Sequence, residues 1–142
     1  MMLEKMKSFV RKKNICVLAT VSDHKPYCSL MAYITDVNCE EIYMVTLKNT
    51  TKFNNLQKNP LVSLLIDSRE TQPRSNAQAL TIDGVFIPLI GENKKQKIRD
   101  RMLESFPHMK DFIHHPESEL IRIKINSFLL LEGLTESHFI SL

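Results

Sequence analysis

The alternation of apolar and polar residues predicts a chain made mostly of strands, with helices at a few points. Leu3, Met6 and Val10 recur at helical spacing among charged residues, which predicts an amphipathic helix near the start. Six later stretches have the length and apolar content of strands; they are residues 15–21, 27–34, 41–47, 61–67, 77–90 and 119–132. Helices are predicted at residues 49–59 and 94–106, with a shorter one near Met109, and a polar loop at residues 68–76.

The order of these elements decides the fold class. The helices follow the third and fifth strands and do not alternate with every strand, so the chain lacks the pattern of a parallel sheet. Short connections favour an antiparallel sheet, and six strands can close into a small barrel. The 142 residues are enough for one well-formed core. We therefore predict a single domain at residues 1–142, mainly β with helices (α+β), built on a six-stranded antiparallel barrel.

The second predicted strand has two unlike faces, because side chains alternate from one side of a strand to the other. One face is entirely apolar and consists of Cys28, Leu30, Ala32 and Ile34. The other is mixed and consists of Tyr27, Ser29, Met31 and Tyr33. We expect the apolar face to fill the core and the mixed face to meet a ligand, a partner subunit or both.

Scarce glycine excludes several classes of nucleotide-binding protein and hydrolase. The three glycines, Gly84, Gly91 and Gly133, cannot form G-x-G-x-x-G, a P-loop or G-x-S-x-G. Gly84 lies inside a predicted strand, where the missing side chain permits a bulge or a close backbone approach. The three cysteines include no C-x-x-C pair, and Cys16 and Cys28 are expected to be small core residues. No metal site is predicted.

The charge pattern and hydropathy limit the possible partners. The net charge is only +3, with no Trp and three Tyr, so no nucleic-acid partner is predicted. No stretch approaches the roughly 18 apolar residues of a membrane span. The basic residues near the start are not followed by an apolar run of signal-peptide length. We expect a cytoplasmic protein with no membrane partner.

A candidate anion site lies at residues 46–52 (TLKNTTK), where a strand gives way to a helix. A helix N-terminus presents unpaired backbone N–H groups and about half a positive charge. Lys48 and Lys52 are unfavourable there unless an anion binds, and Thr46, Thr50 and Thr51 add hydroxyl groups. From the pattern alone, a phosphate site and an ordinary solvated helix start both remain open.

Several short motifs together carry a family resemblance. In chain order they are residues 15–20 (ICVLAT), 25–27 (KPY), 29–33 (SLMAY), 41–46 (EIYMVT), 50–52 (TTK), 55–56 (NL) and 59–63 (NPLVS). The chain resembles the FMN-binding split-barrel proteins of the pyridoxamine 5'-phosphate oxidase-like superfamily, most strongly over residues 15–67. The resemblance implies a six-stranded antiparallel split β-barrel that forms a homodimer and binds FMN at the subunit interface.

The resemblance also implies which residues bind FMN. The phosphate would lie near Lys52, beside Thr46, Leu47, Thr50 and Thr51. The isoalloxazine ring would lie along the second strand, partly against its backbone, at Ser29, Leu30, Met31 and Ala32. Gln78 would reach the flavin from the long fifth strand.

The chain departs from the family pattern at three places. Thr51 stands where many relatives have an arginine before the phosphate lysine, and Lys48 is a possible replacement for that charge. His24 replaces the usual glycine of the first hairpin turn. Residues 131–142 contain one histidine and no arginine, whereas pyridoxamine 5'-phosphate oxidases have an Arg-x-His pair there. We therefore expect that the chain is not an authentic pyridoxamine 5'-phosphate oxidase.

The function implied by the resemblance is that of an FMN-dependent oxidoreductase, which transfers a hydride between the flavin and a small-molecule substrate. The cofactor performs this chemistry, so no catalytic acid or base is assigned. Two alternatives stay open. One is a non-catalytic flavin-binding or storage protein, and the other is a haem-binding or haem-degrading relative on the same barrel.

Overall fold

The computed structural model describes residues 1–69 and 76–142. The helices in this part of the chain are α1 (Met2–Lys12), α2 (Thr51–Lys58), α3 (Glu92–Ser105) and α4 (Lys110–Ile113). The strands are β1 (Ile15–Ser22), β2 (Lys25–Ala32), β3 (Ile34–Thr35), β4 (Glu41–Leu47), β5 (Leu61–Asp67), β6 (Gln78–Phe86), β7 (Ser118–Glu132) and β8 (Glu136–Ser141). The loop predicted at residues 68–76 lies largely outside the described residues.

The strands form one antiparallel sheet in the order β2-β1-β5-β6-β7-β4-β3, with β8 paired to β7. The first half of the 15-residue β7 pairs with β4 and the second half with β6 and β8, so the sheet curls into a half-barrel. The predicted α+β split-barrel class is confirmed. Among the described residues the sheet has eight strands rather than six, because β3 separates from β2 at Tyr33 and β8 adds a final hairpin.

Gly84 marks the sharpest irregularity of the sheet, as predicted. The pairing of β6 with β7 shifts between Asp83 and Gly84. A Cβ atom at position 84 would lie 2.6 Å from the backbone oxygen of Lys124 and 2.7 Å from Cγ2 of Ile123. Glycine is therefore required by the close approach of two backbones at the bulge, where β7 passes from one partner strand to another.

The core has two parts. The larger fills the half-barrel beneath α1 and α2, and it includes Met6 and Val10 from the predicted apolar stripe of α1. The smaller lies between α3, α4 and the β4–β7 pair, around Ile98, Met102 and Leu120. α1 and α2 thus cover the inner face of the sheet, whereas α3 and α4 pack on the opposite face at β4 and β7. The rest of that opposite face is left for other contacts.

The predicted orientation of the second strand is wrong. Met31 and Tyr33, assigned to the ligand face, are buried in the core, whereas Cys28 is exposed and Leu30 is 69% exposed. Tyr33 tolerates burial because its hydroxyl donates a hydrogen bond to the Val10 carbonyl at 2.7 Å. Ile34 is buried as predicted, but it belongs to β3 and packs in the smaller core.

As a result, the solvent-facing side of the sheet, here called the outer face, carries an apolar row. Side chains of residues directly opposite each other on paired strands lie on the same face. The row crosses β2, β1, β5, β6, β7 and β8, and its paired residues are, in that order, Leu30, Val17, Leu65, Thr81, Leu129 and Phe139. Phe139 is 64% exposed, so both ends of this row lie open to solvent.

Candidate functional site

Helix α2 begins inside the predicted segment 49–59, and Thr50, one of two candidate residues, is its cap. The Thr50 backbone is extended, and its hydroxyl oxygen accepts a hydrogen bond from the Phe53 N–H at 3.3 Å. The N–H groups of Thr51 and Lys52 precede the first intrahelical hydrogen bonds. They are the backbone donors that this helix offers to an anion.

Two of the predicted phosphate ligands already form hydrogen bonds within the protein. The Thr50 hydroxyl donates to the Leu47 carbonyl at 2.9 Å and lies 3.2 Å from the hydroxyl of buried Thr46. Since a hydroxyl has one hydrogen, Thr46 is the donor in that second contact. Thr46, Leu47 and Thr50 therefore fix the strand-to-helix turn, and the two threonine hydroxyls have no hydrogen left for a phosphate in this arrangement.

The two lysines near the helix start differ in their surroundings. The Lys48 ammonium lies 3.6 Å from the Glu119 carboxylate, so it is drawn towards β7. Lys52 is half-buried and has no ion pair among residues 1–69 and 76–142. Thr51 is exposed beside it. The anion-binding potential of this end therefore resides in Lys52, the Thr51 side chain and two backbone N–H groups.

Sequence reasoning missed the residue that holds α2 in place. The Asn55 side-chain amide donates a hydrogen bond to the Thr20 hydroxyl at 3.1 Å, and both residues are buried. This bond joins the helix to β1, next to Leu56 in the core. A polar Asn55 between the apolar Phe53 and Leu56 was the available signal, because a buried amide needs a partner.

The predicted ring site on β2 has only part of its side chains available. α2 packs against β1 and β2, which places the helix start and this strand in one region. Leu30 extends from the outer face, and Ala32 is half-buried on the same side. Met31 points into the core, and Ser29 shares its side of the strand, so these two can contribute only backbone groups to an outer-face ligand.

Gln78 is not brought to the helix start. It pairs with Glu132 at the last residue of β7, whereas Thr46 and Leu47 pair with the first residues of that strand. Its amide donates to the Glu132 carboxylate at 3.1 Å. Gln78 also lies on the side of β6 that buries Leu80 and Ile82, away from the outer face.

The polar end of the β7–β8 hairpin has its own network. Glu132, Glu136 and His138 form a group of potential metal ligands whose donor atoms lie within 4.8 Å of one another. Lys5 forms an ion pair with Glu132, and His138 Nε2 lies 3.3 Å from the same carboxylate. The hydrogen bonds from Lys5 and Gln78, together with the Lys5 charge, hold the pKa of Glu132 below its usual value. The negative charge of Glu132 is thus already paired with the Lys5 ammonium.

The cysteines offer no activated thiol in the core. Burial raises the pKa of Cys16 to about 12 and that of Cys39 to about 11. Cys16 is a core residue as predicted, but Cys28 lies exposed on the outer face. The two buried thiols, Cys16 and Cys39, are therefore poor candidates for a nucleophile.

The sequence of the chain matches one protein family along most of its length. The model of the family described as pyridoxamine 5'-phosphate oxidase matches residues 2–131. The antiparallel half-barrel agrees with the split barrel that the resemblance over residues 15–67 implies. The chain belongs to the pyridoxamine 5'-phosphate oxidase family. No curated protein matches its sequence.

Solved structures share the fold at low sequence identity. A haem-binding protein from Mycobacterium smegmatis has a TM-score of 0.83 and 18% identity, over 97% of this chain and 57% of that one. An FAD-binding protein from Mesorhizobium loti has a TM-score of 0.78 and 20% identity, over 94% of both chains. General Stress Protein 26 from Bacillus anthracis has a TM-score of 0.72 and 18% identity, over 100% of both chains. The chain thus spans little more than half of the haem-binding protein's length.

Within the described residues, no helix has both the length and the apolar character needed to cross a membrane.

Proposed function

We propose that the protein binds FMN, with the phosphate at the start of α2. The observation that carries this proposal is Lys52, a half-buried ammonium with no ion pair among the described residues, beside the open N–H groups of Thr51 and Lys52. A phosphate dianion would satisfy all three donors and the local helix dipole. Lys48, paired with Glu119, would not replace the missing arginine. FMN is favoured over FAD because the site offers a single anchoring point for phosphate.

The flavin ring would lie against the outer face of β2. Leu30 and Ala32 would contact it through side chains, and Ser29 and Met31 through the backbone. FMN, when bound, would supply the hydride transfer of an oxidoreductase acting on a small molecule. The contribution of the chain would be to hold the phosphate, orient the ring and exclude water with the apolar row. Gln78 would reach a flavin only if that cofactor extended to the opposite end of β7.

A homodimer would complete this site. The apolar row on the outer face extends over six strands, too wide for one flavin to cover. A second copy related by a twofold axis would bury the rest of the row and form two equivalent cofactor sites. The proposed assembly is therefore a dimer with FMN between the subunits.

Two other functions are compatible with the same face, and they are distinguished by turnover and by the absorption spectrum. A flavin-storage protein would hold FMN without turnover on any reductant. Haem binding is supported by the similarity in fold to the haem-binding protein from Mycobacterium smegmatis and by the open apolar surface. Purified protein with flavin absorption and reduction by NADH or NADPH would support the oxidoreductase. A Soret band on haem titration, together with no affinity for flavin, would exclude it.

The phosphate assignment is tested by changing Lys52. Lys52→Ala should weaken FMN binding by about 1.5–3 kcal/mol, the range for a hydrogen bond to a charged group. Lys58→Ala is the matched control, because Lys58 is exposed at the opposite end of the same helix. Binding is measured by quenching of flavin fluorescence. Unchanged FMN affinity in Lys52→Ala would overturn the assignment.

A further inference from the structure

Two neighbouring grooves meet at the end of α1 and form one trough. The first, about 460 Å³, extends along the outer face by way of Ile15, Leu30 and Leu65. The second, about 510 Å³, lies between α1, β3 and α3. Lys13 and Asn14 line both grooves, so the two adjoin at this point. The trough therefore has an apolar end on the sheet and a positively charged end between the helices.

That other end, here called the basic end, carries four cations: Arg11, Lys12, Lys13 and Arg101. Among the described residues that line the whole trough, Asp67 is the one carboxylate, and it is paired with Arg69 at 2.9 Å. Lys12 has no ion pair in the described part of the chain, and Lys13 lies over the Phe9 ring. Several positive groups thus face one cavity.

The local negative charges do not balance these cations. Arg11 is 3.8 Å from exposed Glu4 and also donates to the Val37 carbonyl, while Arg101 donates to the Thr35 carbonyl. The ends of α1 and α3 that border the basic end together supply about one negative charge. The charged side chains that line this groove are all cations, since no described carboxylate is among its lining residues. An anion bound here would be stabilised.

The apolar part of the trough lies beside the proposed flavin ring. Leu30 and Leu65 belong to the apolar row of the outer face, and Ile15 precedes them on β1. Ile15 is 51% exposed and Leu30 69%. A ligand seated in the trough would place an apolar body on Ile15 and Leu65, beside Leu30, and an anionic group near Lys12 and Lys13.

We propose that the trough is the substrate subsite, and that it selects a small molecule with a flat apolar body and a carboxylate, sulfonate or phosphate group. The apolar body would lie on Ile15 and Leu65, next to the flavin on Leu30, and the anionic group would bind at the basic end. This inference rests on the proposed function for the position of the ring, but the recognition of an anion rests on the trough alone.

The test uses two fluorescent probes on the full chain. 8-Anilinonaphthalene-1-sulfonate has an apolar body and one anionic group, and N-phenyl-1-naphthylamine is its neutral counterpart. Lys12→Gln/Lys13→Gln should weaken binding of the sulfonate about tenfold, as expected when charge-assisted contacts are lost, and leave the neutral probe unchanged. Lys94→Gln/Lys110→Gln removes the same charge from exposed positions that do not line the trough and should change neither affinity. Lys12→Gln alone is included as well. Lys12 is exposed and has no ion pair in the described part of the chain, so this change should not affect folding.

The outcomes separate this inference from the proposed function. Sulfonate affinity within about twofold of the original protein in both trough variants would overturn the subsite, as would equal loss of the neutral probe. Lys52→Ala should weaken FMN binding and leave the sulfonate probe bound. A chain that never binds FMN but shows the expected probe pattern would refute the flavin proposal and retain the anion subsite.

Discussion

Burial divides the three cysteines into two chemical classes at the level of single residues. Cys16 and Cys39 are enclosed, and their raised pKa values of about 12 and 11 keep both thiols protonated near neutral pH. Cys28 lies on the exposed outer face of β2. Since the thiolate is the reactive form, burial and the raised pKa values both disfavour reaction at Cys16 and Cys39.

One thiol per chain should therefore react rapidly with a disulfide reagent such as Ellman's reagent. At about pH 8 only Cys28 is expected to react in the folded protein, and all three cysteines should react in urea. Cys28→Ser should remove the rapid phase, whereas Cys39→Ser should leave it intact. Rapid release of two equivalents from folded protein would show that a core thiol is more accessible than the structure indicates.

At the level of elements, α2 is joined to the sheet by one buried hydrogen bond. The Asn55 amide and the Thr20 hydroxyl are enclosed between the helix and β1, where water cannot replace either partner. The cost of breaking such a pair comes mainly from the group left behind. The start of α2, which carries Lys52, depends on this attachment for its position.

Asn55→Leu should lower the free energy of unfolding by about 1–3 kcal/mol, because the buried Thr20 hydroxyl loses its partner. Combining it with Thr20→Val should cost less than the sum of the two single changes, since both partners are then apolar. Urea denaturation measures all three variants. Asn54→Leu, at the exposed neighbouring position, is the control and should stay within about 0.5 kcal/mol. Additive effects of Asn55→Leu and Thr20→Val would argue against the coupling.

The elements were largely predictable, and the errors have physical causes. Thr50 as the cap of α2, the irregularity at Gly84 and the left-handed turn at His24 (φ 63°) all follow from local chemistry. The orientation of β2 does not, because both of its faces are rich in apolar residues. Tyr33 could be assigned to the core only with knowledge of the distant Val10 carbonyl that its hydroxyl meets.

The candidate site was harder to predict than the fold, because it also depends on contacts between residues that are distant in the sequence. Lys52 follows from the pattern of a helix start, whereas the Lys48–Glu119 pair links residues 71 positions apart, from 48 to 119. The trough depends on α1, β1 and α3 meeting in space, and α3 is far from α1 and β1 in the sequence. Long-range contacts, rather than local preferences, distinguish the engaged cations from the open ones.

For the whole molecule, the outer face suggests how two chains would associate. Light scattering at micromolar concentration should give about twice the chain mass. Phe139→Glu should produce a monomer, because it places a charge at the end of the apolar row that the partner would bury. Ile90→Glu is the matched control, since Ile90 is 88% exposed between β6 and α3 rather than on the sheet. A dimer that persists in Phe139→Glu would place the interface elsewhere.

The same molecule should fail to oxidise pyridoxamine 5'-phosphate, despite its family. The expected Arg-x-His pair near the C-terminus is replaced by a segment in which His138 is held between Glu132 and Glu136. Two carboxylates there would repel a phosphate dianion. Arg122 cannot substitute, because it donates to the carbonyls of Ile87 and Pro88.

The basic end of the trough does not restore that pair. It lies at the last turn of α1, whereas Glu132 meets Lys5 near the start of the helix. Pyridoxamine 5'-phosphate could therefore be retained by its phosphate without the groups that those oxidases place near the C-terminus. The measurement is peroxide release with saturating FMN, alongside displacement of the sulfonate probe. Displacement without peroxide is the expected result, and turnover of about 1 per second or faster would show that the C-terminal segment does not limit the activity.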